Sequence, residues 1–316
     1  MRQFAAAMVL LGLGACAAVG PDFEEPTVSW LEGWQTDLYG QLEDRENASE
    51  TDMQFWWHLF DDPILNSLIE VAWRENPTLR ITGLRILESR ALLGIAESAL
   101  YPQVQTASGG VAYVHNNTKG VENQNLAAYD ASLNLAWELD FWGRFQRGIE
   151  SADAAYFASI TAQQDAMVLL SAQVADLYFA YRTSLLRIGL AQRNATIQKR
   201  SFEITERLYK GGQSSELDLQ QARTQYLGTL STIPSLQQQS IQTRNALTAL
   251  LGRAPGDVPE LDGIEGDLPS VSPLSIDAVP AKLITRRPDV RNAAWLAAAQ
   301  SAQIGLAEAE FYPSIA

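Results

Sequence analysis

The chain has 316 residues, a formal net charge of −14 and an isoelectric point near 4.6. That balance argues against a nucleic-acid partner, because phosphate contacts need a basic face and none is visible. One cysteine excludes an internal disulfide, and two histidines, His58 and His115, are too few for a histidine-based metal or catalytic cluster. No catalytic residue, metal site or cofactor is therefore expected.

In chain order, Arg2 precedes an apolar run over residues 4–13, a charged start and a short hydrophobic core too brief to span a bilayer. The run ends in Leu13-Gly14-Ala15-Cys16, which resembles the bacterial lipobox. Residues 1–15 then read as a signal peptide and Cys16 as the lipidation site, with its acyl chains holding the protein to a leaflet. Ala17 stands where an aspartate retains bacterial lipoproteins in the inner membrane, so the outer membrane is expected. Residues 16–60 read as an acylated linker and surface segment, rich in Pro, Gly and acids over 20–47. Asp61-Asp62-Pro63 reads as a helix start, an aspartate cap with proline in the first turn. His58 beside Asp61 and Asp62 fits such a cap next to a tryptophan cluster better than a metal site.

Helical pattern covers residues 77–99 and stops before Pro102. The period then changes. Residues 129–141 alternate strictly, with Tyr129, Leu133, Leu135, Trp137, Leu139 and Phe141 on one face and Asp130, Asn134, Glu138 and Asp140 on the other. Aromatics at both ends of the apolar face suit a barrel strand in an outer membrane, with Asp130, Glu138 and Asp140 facing its lumen. Residues 103–115 are the expected partner strand and 116–128 the hairpin loop, giving a β-hairpin over 103–141. A lone hairpin in lipid would leave edge groups unpaired, so several chains or repeats must combine.

Two long helices follow, over 144–210 and 215–252. In the first, Ile160, Met167, Val174, Tyr181, Ile188, Ala195, Phe202 and Tyr209 recur every seventh position, the pattern of supercoiling helices. At 1.5 Å per residue that element would reach roughly 100 Å. Gly211-Gly212 permits a tight reversal, and Ser214 or Ser215 caps the return helix, which Pro234 should kink. Residues 253–285 read as a linker. Residues 287–316 then align without gaps on 76–105 at an offset of 211, with identities at Pro77/Pro288, Arg80/Arg291, Gly94/Gly305, Glu97/Glu308, Tyr101/Tyr312 and Pro102/Pro313 among others. The expected division is a first repeat over 61–252 and a second that starts at 286 and is cut short at 316, with about 150–180 further residues in the intact protein.

These segments resemble the outer membrane efflux protein family, the TolC-like channels, and its lipoprotein branch in particular. The matching motifs are Val19-Gly20-Pro21-Asp22-Phe23, Trp57-His58-Leu59-Phe60-Asp61-Asp62-Pro63, Trp137-Glu138-Leu139-Asp140-Phe141-Trp142-Gly143-Arg144, Leu250-Leu251-Gly252 and Arg286-Arg287-Pro288-Asp289-Val290-Arg291. The resemblance implies a mainly α fold with a β-hairpin: coiled helical hairpins forming a periplasmic tunnel, and strands of a 12-stranded transmembrane barrel closed by a homotrimer. It implies a passive export channel in the outer membrane, serving an inner-membrane pump of the resistance-nodulation-division type through a periplasmic adaptor. The adaptor would contact the turn at Gly211, Gly212, Ser214 and Ser215, residues that turn chemistry alone also explains. Asp218 matches an acidic gate position of the family, and equally suits a first-turn aspartate favoured by the helix dipole. A type I protein-secretion channel is the alternative within the family. A periplasmic adaptor lipoprotein would lack both the alternating strand and the repeat.

Overall fold

The computed structural model describes residues 18–25, 53–116, 119–120, 124–264, 268–269 and 284–315. After a 3-10 helix over Met53–Phe60 come α1 (Pro63–Glu75), α2 (Pro77–Ser98), β1 (Val104–Asn116), β2 (Gln124–Ala136), α3 (Arg144–Lys210), α4 (Glu216–Leu250) and α5 (Pro288–Ala309). The described residues are mainly helical with one hairpin, as expected. Among the described residues, no helix is long and apolar enough to cross a membrane.

The described residues fall into two compact units. One draws on Glu32–Thr82 and Gln163–Pro280. Its core forms around α1, which begins where the sequence places it. Asp62 Oδ1 accepts the backbone N–H groups of Ile64 (2.9 Å) and Leu65 (3.3 Å), and Pro63 sits in the first turn. Leu65, Leu68, Ile69 and Ala72 then share one face at helical spacing and are fully buried. They pack with Val174 and Tyr178 of α3, Leu247 of α4, and Leu251, Val258 and Leu261 beyond it. Asn76 joins three elements. Its N–H bonds Ala72 O at the end of α1, its Oδ1 accepts from Leu79 N in α2, and its Nδ2 donates to Leu250 O. Its extended ψ of 121° is the conformation that Pro77 imposes on its predecessor. The heptad stripe of α3 is covered: Val174, Tyr181 and Ala195 are buried, and of the eight residues only Tyr209 is exposed. α4 continues through Pro234 as one assigned helix.

The other unit draws on Met1–Leu31, Gly83–Ala162 and Ala281–Ala316. β1 and β2 pair antiparallel from Val104↔Ala136 to Asn116↔Gln124. α5 packs on the first turns of α3 through Phe157 stacked on Trp295 (4.8 Å), Asn292 Nδ2 donating to Ala158 O (2.6 Å) and Gln303 Nε2 donating to Ser151 Oγ (2.7 Å). α2 and α5 are both 22-residue helices opened by proline. Each is followed by Tyr-Pro and then a strand residue, Val104 in the first copy and Ile315 in the second, which bridges Leu139 antiparallel.

The strand boundaries need correction. β2 occupies Gln124–Ala136, not 129–141, and the loop contracts accordingly. The alternation continues past Ala136, but the residues there bond to groups just before β1 rather than across the ladder. Trp137 Nε1 donates to Leu100 O, Glu138 N donates to Gln103 Oε1, and Gly143 takes a φ of +73° that turns the chain into α3. Period alone cannot distinguish such a crossing from a longer strand.

Candidate functional site

The hairpin has two unlike faces. Residues directly opposite in an antiparallel pair point to the same side. One side therefore carries Tyr129 with Val111, Leu133 with Ala107, and Leu135 with Gln105. The other carries Asp130 with Gly110, Ser132 with Ser108, and Asn134 with Thr106. Ser108 and Ser132 share a hydrogen bond of 2.7 Å on that polar side. On the apolar side Leu133 is 80% and Tyr129 77% exposed, and Val111, Tyr113 and Leu135 are exposed as well. A contiguous apolar surface of this kind marks contact with lipid or protein rather than with water.

The three expected lumen residues separate. Asp130 stands on the strand. Glu138 lies past its end and is held by Arg144, whose Nη2 donates to both carboxylate oxygens at 2.9 Å. Asp140 accepts the N–H of Gln146 (2.8 Å), one of the first-turn groups of α3 that lacks a partner within the helix.

The turn after α3 follows its sequence chemistry closely. Gly212 takes φ +72°, its N–H bonds Tyr209 O (3.0 Å), and Gln213 N bonds Leu208 O (2.8 Å), the two bonds of a Schellman ending. Ser215 caps α4, and a full capping box forms with Asp218. Asp218 Oδ2 accepts from Ser215 Oγ (2.7 Å), Ser215 N (3.1 Å) and Ser214 Oγ (3.1 Å). The Ser215 hydroxyl first, then its N–H and the Ser214 hydroxyl, hold the Asp218 carboxyl below the usual aspartate range. Gly211, Gly212, Ser214, Ser215 and Asp218 are thus brought together as one turn.

Two clusters escaped the sequence reading. The first is a buried triad on Asp62, whose Oδ2 accepts from the Tyr178 hydroxyl (2.6 Å) and from Arg182 Nη1 (3.0 Å). The second is a clamp on the strap at residues 18–22. Val19 N bonds Trp142 O, and Arg147 donates Nε to Val19 O (2.9 Å) and Nη2 to Gly20 O (2.9 Å). Arg147 Nη1 also pairs with Asp22 (2.9 Å) and Glu150 (2.7 Å). Cys16 lies outside the described residues.

A profile of the outer membrane efflux protein family matches residues 68–253, more than half of the chain. The chain belongs to that family. It is similar to the probable efflux pump outer membrane protein SepC of Pseudomonas putida, with 31% identity over an alignment that covers 96% of this chain and 64% of SepC. It is also similar to the probable outer membrane lipoprotein SilC of Salmonella typhimurium, at 29% identity over 304 residues covering 96% of this chain and 64% of SilC. Among solved structures, the outer-membrane channel OprN superposes with a TM-score of 0.81 at 33% identity, over 94% of this chain and 66% of OprN. CusC, described as forming a transmembrane channel, gives 0.76 at 27% identity over 94% of this chain and 65% of CusC. The efflux-family chain thus spans 64% of the length of these curated relatives. Membership in this outer membrane family accounts for the hairpin's exposed apolar side, which a water-facing sheet would not tolerate.

Proposed function

We propose that this chain is part of an outer-membrane channel subunit, a passive export conduit in a tripartite efflux system. It would act as a homotrimer, with a periplasmic adaptor and an inner-membrane pump of the resistance-nodulation-division type as partners. The observation that supports this best is the hairpin: grease on one side, Asp130, Ser132, Ser108 and Asn134 on the other, and neither side covered by other described residues. Lipid suits the first side and a water-filled lumen the second. The two strands leave edge groups that only further strands can pair, and the Leu139–Ile315 bridge is where the next begins. Three chains with four strands each close a 12-stranded barrel. The relatives SepC and OprN are named a probable efflux pump outer membrane protein and an outer-membrane channel.

In this reading the chemistry is transport and not catalysis. Asp130 faces the lumen; Glu138 and Asp140 stand at its rim, with Glu138 paired to Arg144 and Asp140 capping α3. The turn at Gly211, Gly212, Ser214 and Ser215 receives the adaptor, and Asp218 belongs to the gate. The adaptor opens that gate only by binding the open form more tightly than the closed one. Cys16 carries the lipid anchor.

The test is the full-length product in detergent and in planar bilayers. A trimer that conducts and prefers cations is expected. A monomer without conductance overturns the proposal. Mass analysis of the mature N-terminus should show an acylated Cys16, and an unmodified cysteine removes the anchor.

A further inference from the structure

We propose that Gly143, Arg147 and Gly305 form a seat that fixes the strap at residues 18–22 to the foot of the hairpin, so that a lipid chain on Cys16 enters the leaflet beside the strands. The partner surface is a phospholipid leaflet. The inference rests on the reading above of Cys16 as the anchor site and of the hairpin's apolar side as lipid-facing.

The seat is built from one buried cation and two close approaches. Arg147 is only 4% exposed. It directs Nε to Val19 O and Nη2 to Gly20 O, both at 2.9 Å, and pairs Nη1 with Asp22 and Glu150. Two of these bonds go to backbone carbonyls, so they hold the path of the strap and not merely its side chains. Val19 N donates to Trp142 O at 3.0 Å. An ideal Cβ on Gly143 would overlap Ala18, and one on Gly20 would overlap Gly305 Cα, so two backbones cross there with no side chain between them.

The place of the seat gives it a consequence. Trp142 and Gly143 form the corner between β2 and α3. Trp142 also donates Nε1 to Pro313 O (3.0 Å) and stacks on Tyr312 (4.6 Å). Next to Tyr312, Phe311 is 89% exposed, and Tyr101 and Trp137 are exposed as well. Aromatic side chains where apolar strands end suit the level of lipid headgroups. Chain length then places the anchor. Cys16 is two residues before Ala18, so its Cα lies within about 7 Å of the seated strap. Were the chain held only from Met53 onward, a flexible tether back to Cys16 would spread over about 30 Å. The local concentration of a tethered group falls roughly as the −3/2 power of tether length. The seat therefore keeps the hairpin's apolar side close to the leaflet that it has to enter, which a lipid on a loose tether would not do.

The experiment dilutes the acylated full-length product from detergent into vesicles of phosphatidylethanolamine and phosphatidylglycerol. It reads the half-time for trimers that resist sodium dodecyl sulfate, with acylation of every variant confirmed by mass. A flexible Gly-Ser insertion of about six residues between Ala17 and Ala18 lengthens the tether ahead of the seat, and should lengthen the half-time about fivefold or more. The same insertion between Glu25 and Pro26 lies beyond the seat and should leave the half-time within about twofold of wild type. Arg147→Ala should be slow, and the early insertion added to it should bring no further delay, because the seat is already lost. An early insertion as fast as wild type overturns the proposal. Equal delay from both insertions does so too, since position relative to the seat would then be irrelevant. Arg147→Ala at the wild-type rate also overturns it; should that variant fail to fold, the two insertions decide alone, because they leave the seat intact. A wild type with an unmodified Cys16, or one that forms no trimer, overturns the anchored-channel reading itself and this proposal with it.

Discussion

Asp62 performs two tasks with one carboxylate. Oδ1 closes the first turn of α1, and Oδ2 takes Tyr178 and Arg182 from α3, in a pocket where Asp62 and Arg182 are both largely shielded. Removing one partner of a buried pair leaves the other charge without compensation, which costs more than the pair contributes when intact. Asp62→Ala is expected to lower stability by about 3 kcal/mol or more, read as thermal unfolding by far-UV circular dichroism. Tyr178 adds a pH dependence. Burial first, and donation to Asp62 second, push its phenol up to about 12 from an ordinary 10.0. A raised pKa means that the folded state favours the neutral phenol. Its contribution is complete below pH 10 and is lost as pH climbs toward about 12. Tyr178→Phe should therefore be less stable than wild type near neutrality and show a flatter decline over that alkaline range; parallel curves from alkaline melts would contradict this.

At the scale of elements, what the sequence revealed and what it hid divide by the range of the interactions. α1, both long helices and the turn between them were legible, because caps, heptads and a glycine pair act within a few residues. Even the capping box needed only Ser215 and Asp218. The turn is accordingly testable by a local change. Gly212 sits at φ +72°, where a side chain is strained, so Gly212→Ala should cost about 1 kcal/mol, seen as faster amide exchange over residues 208–216 at constant pH. Gly211→Ala, whose φ is not positive, should cost less. The end of β2 was misread because its determinants are tertiary: Leu100 O, Gln103, Arg144 and Ile315 take up residues 137–139, although the alternating pattern runs on. The Asp62 triad and the Arg147 clamp were hidden for the same reason. Chain separations of 116 residues for Asp62–Tyr178 and 127 for Gly20–Arg147 leave no periodic trace. On the hairpin, the alternation exposed the two sides but not that Asp130 would face a glycine, since that depends on register.

At the scale of the molecule, the strap at residues 18–22 brings together parts far apart in sequence: residues 18–22 themselves, the first turns of α3 and the helix α5. Its close approach depends on glycine. A Cβ on Gly305 would lie 2.6 Å from Val19 O and 2.8 Å from Arg147 Nε, both held in place, so the strap or the clamp would have to move. Gly94, its counterpart at the offset of 211, has nothing within 4 Å of the same position among the described residues. Twin substitutions at repeat-related sites should then diverge. Gly305→Ala is expected to release the strap, with the loss of Arg147's bonds to Val19 and Gly20 exceeding the roughly 0.5–1 kcal/mol that alanine gains over glycine inside a helix. Gly94→Ala should leave the strap seated. Limited chymotrypsin digestion after Phe23 reads the difference: cleavage should speed up in Gly305→Ala and match wild type in Gly94→Ala. Equal rates in both would mean that the strap is held without the close glycine contact, and Arg147→Ala, which removes the clamp directly, would then be the substitution that frees it.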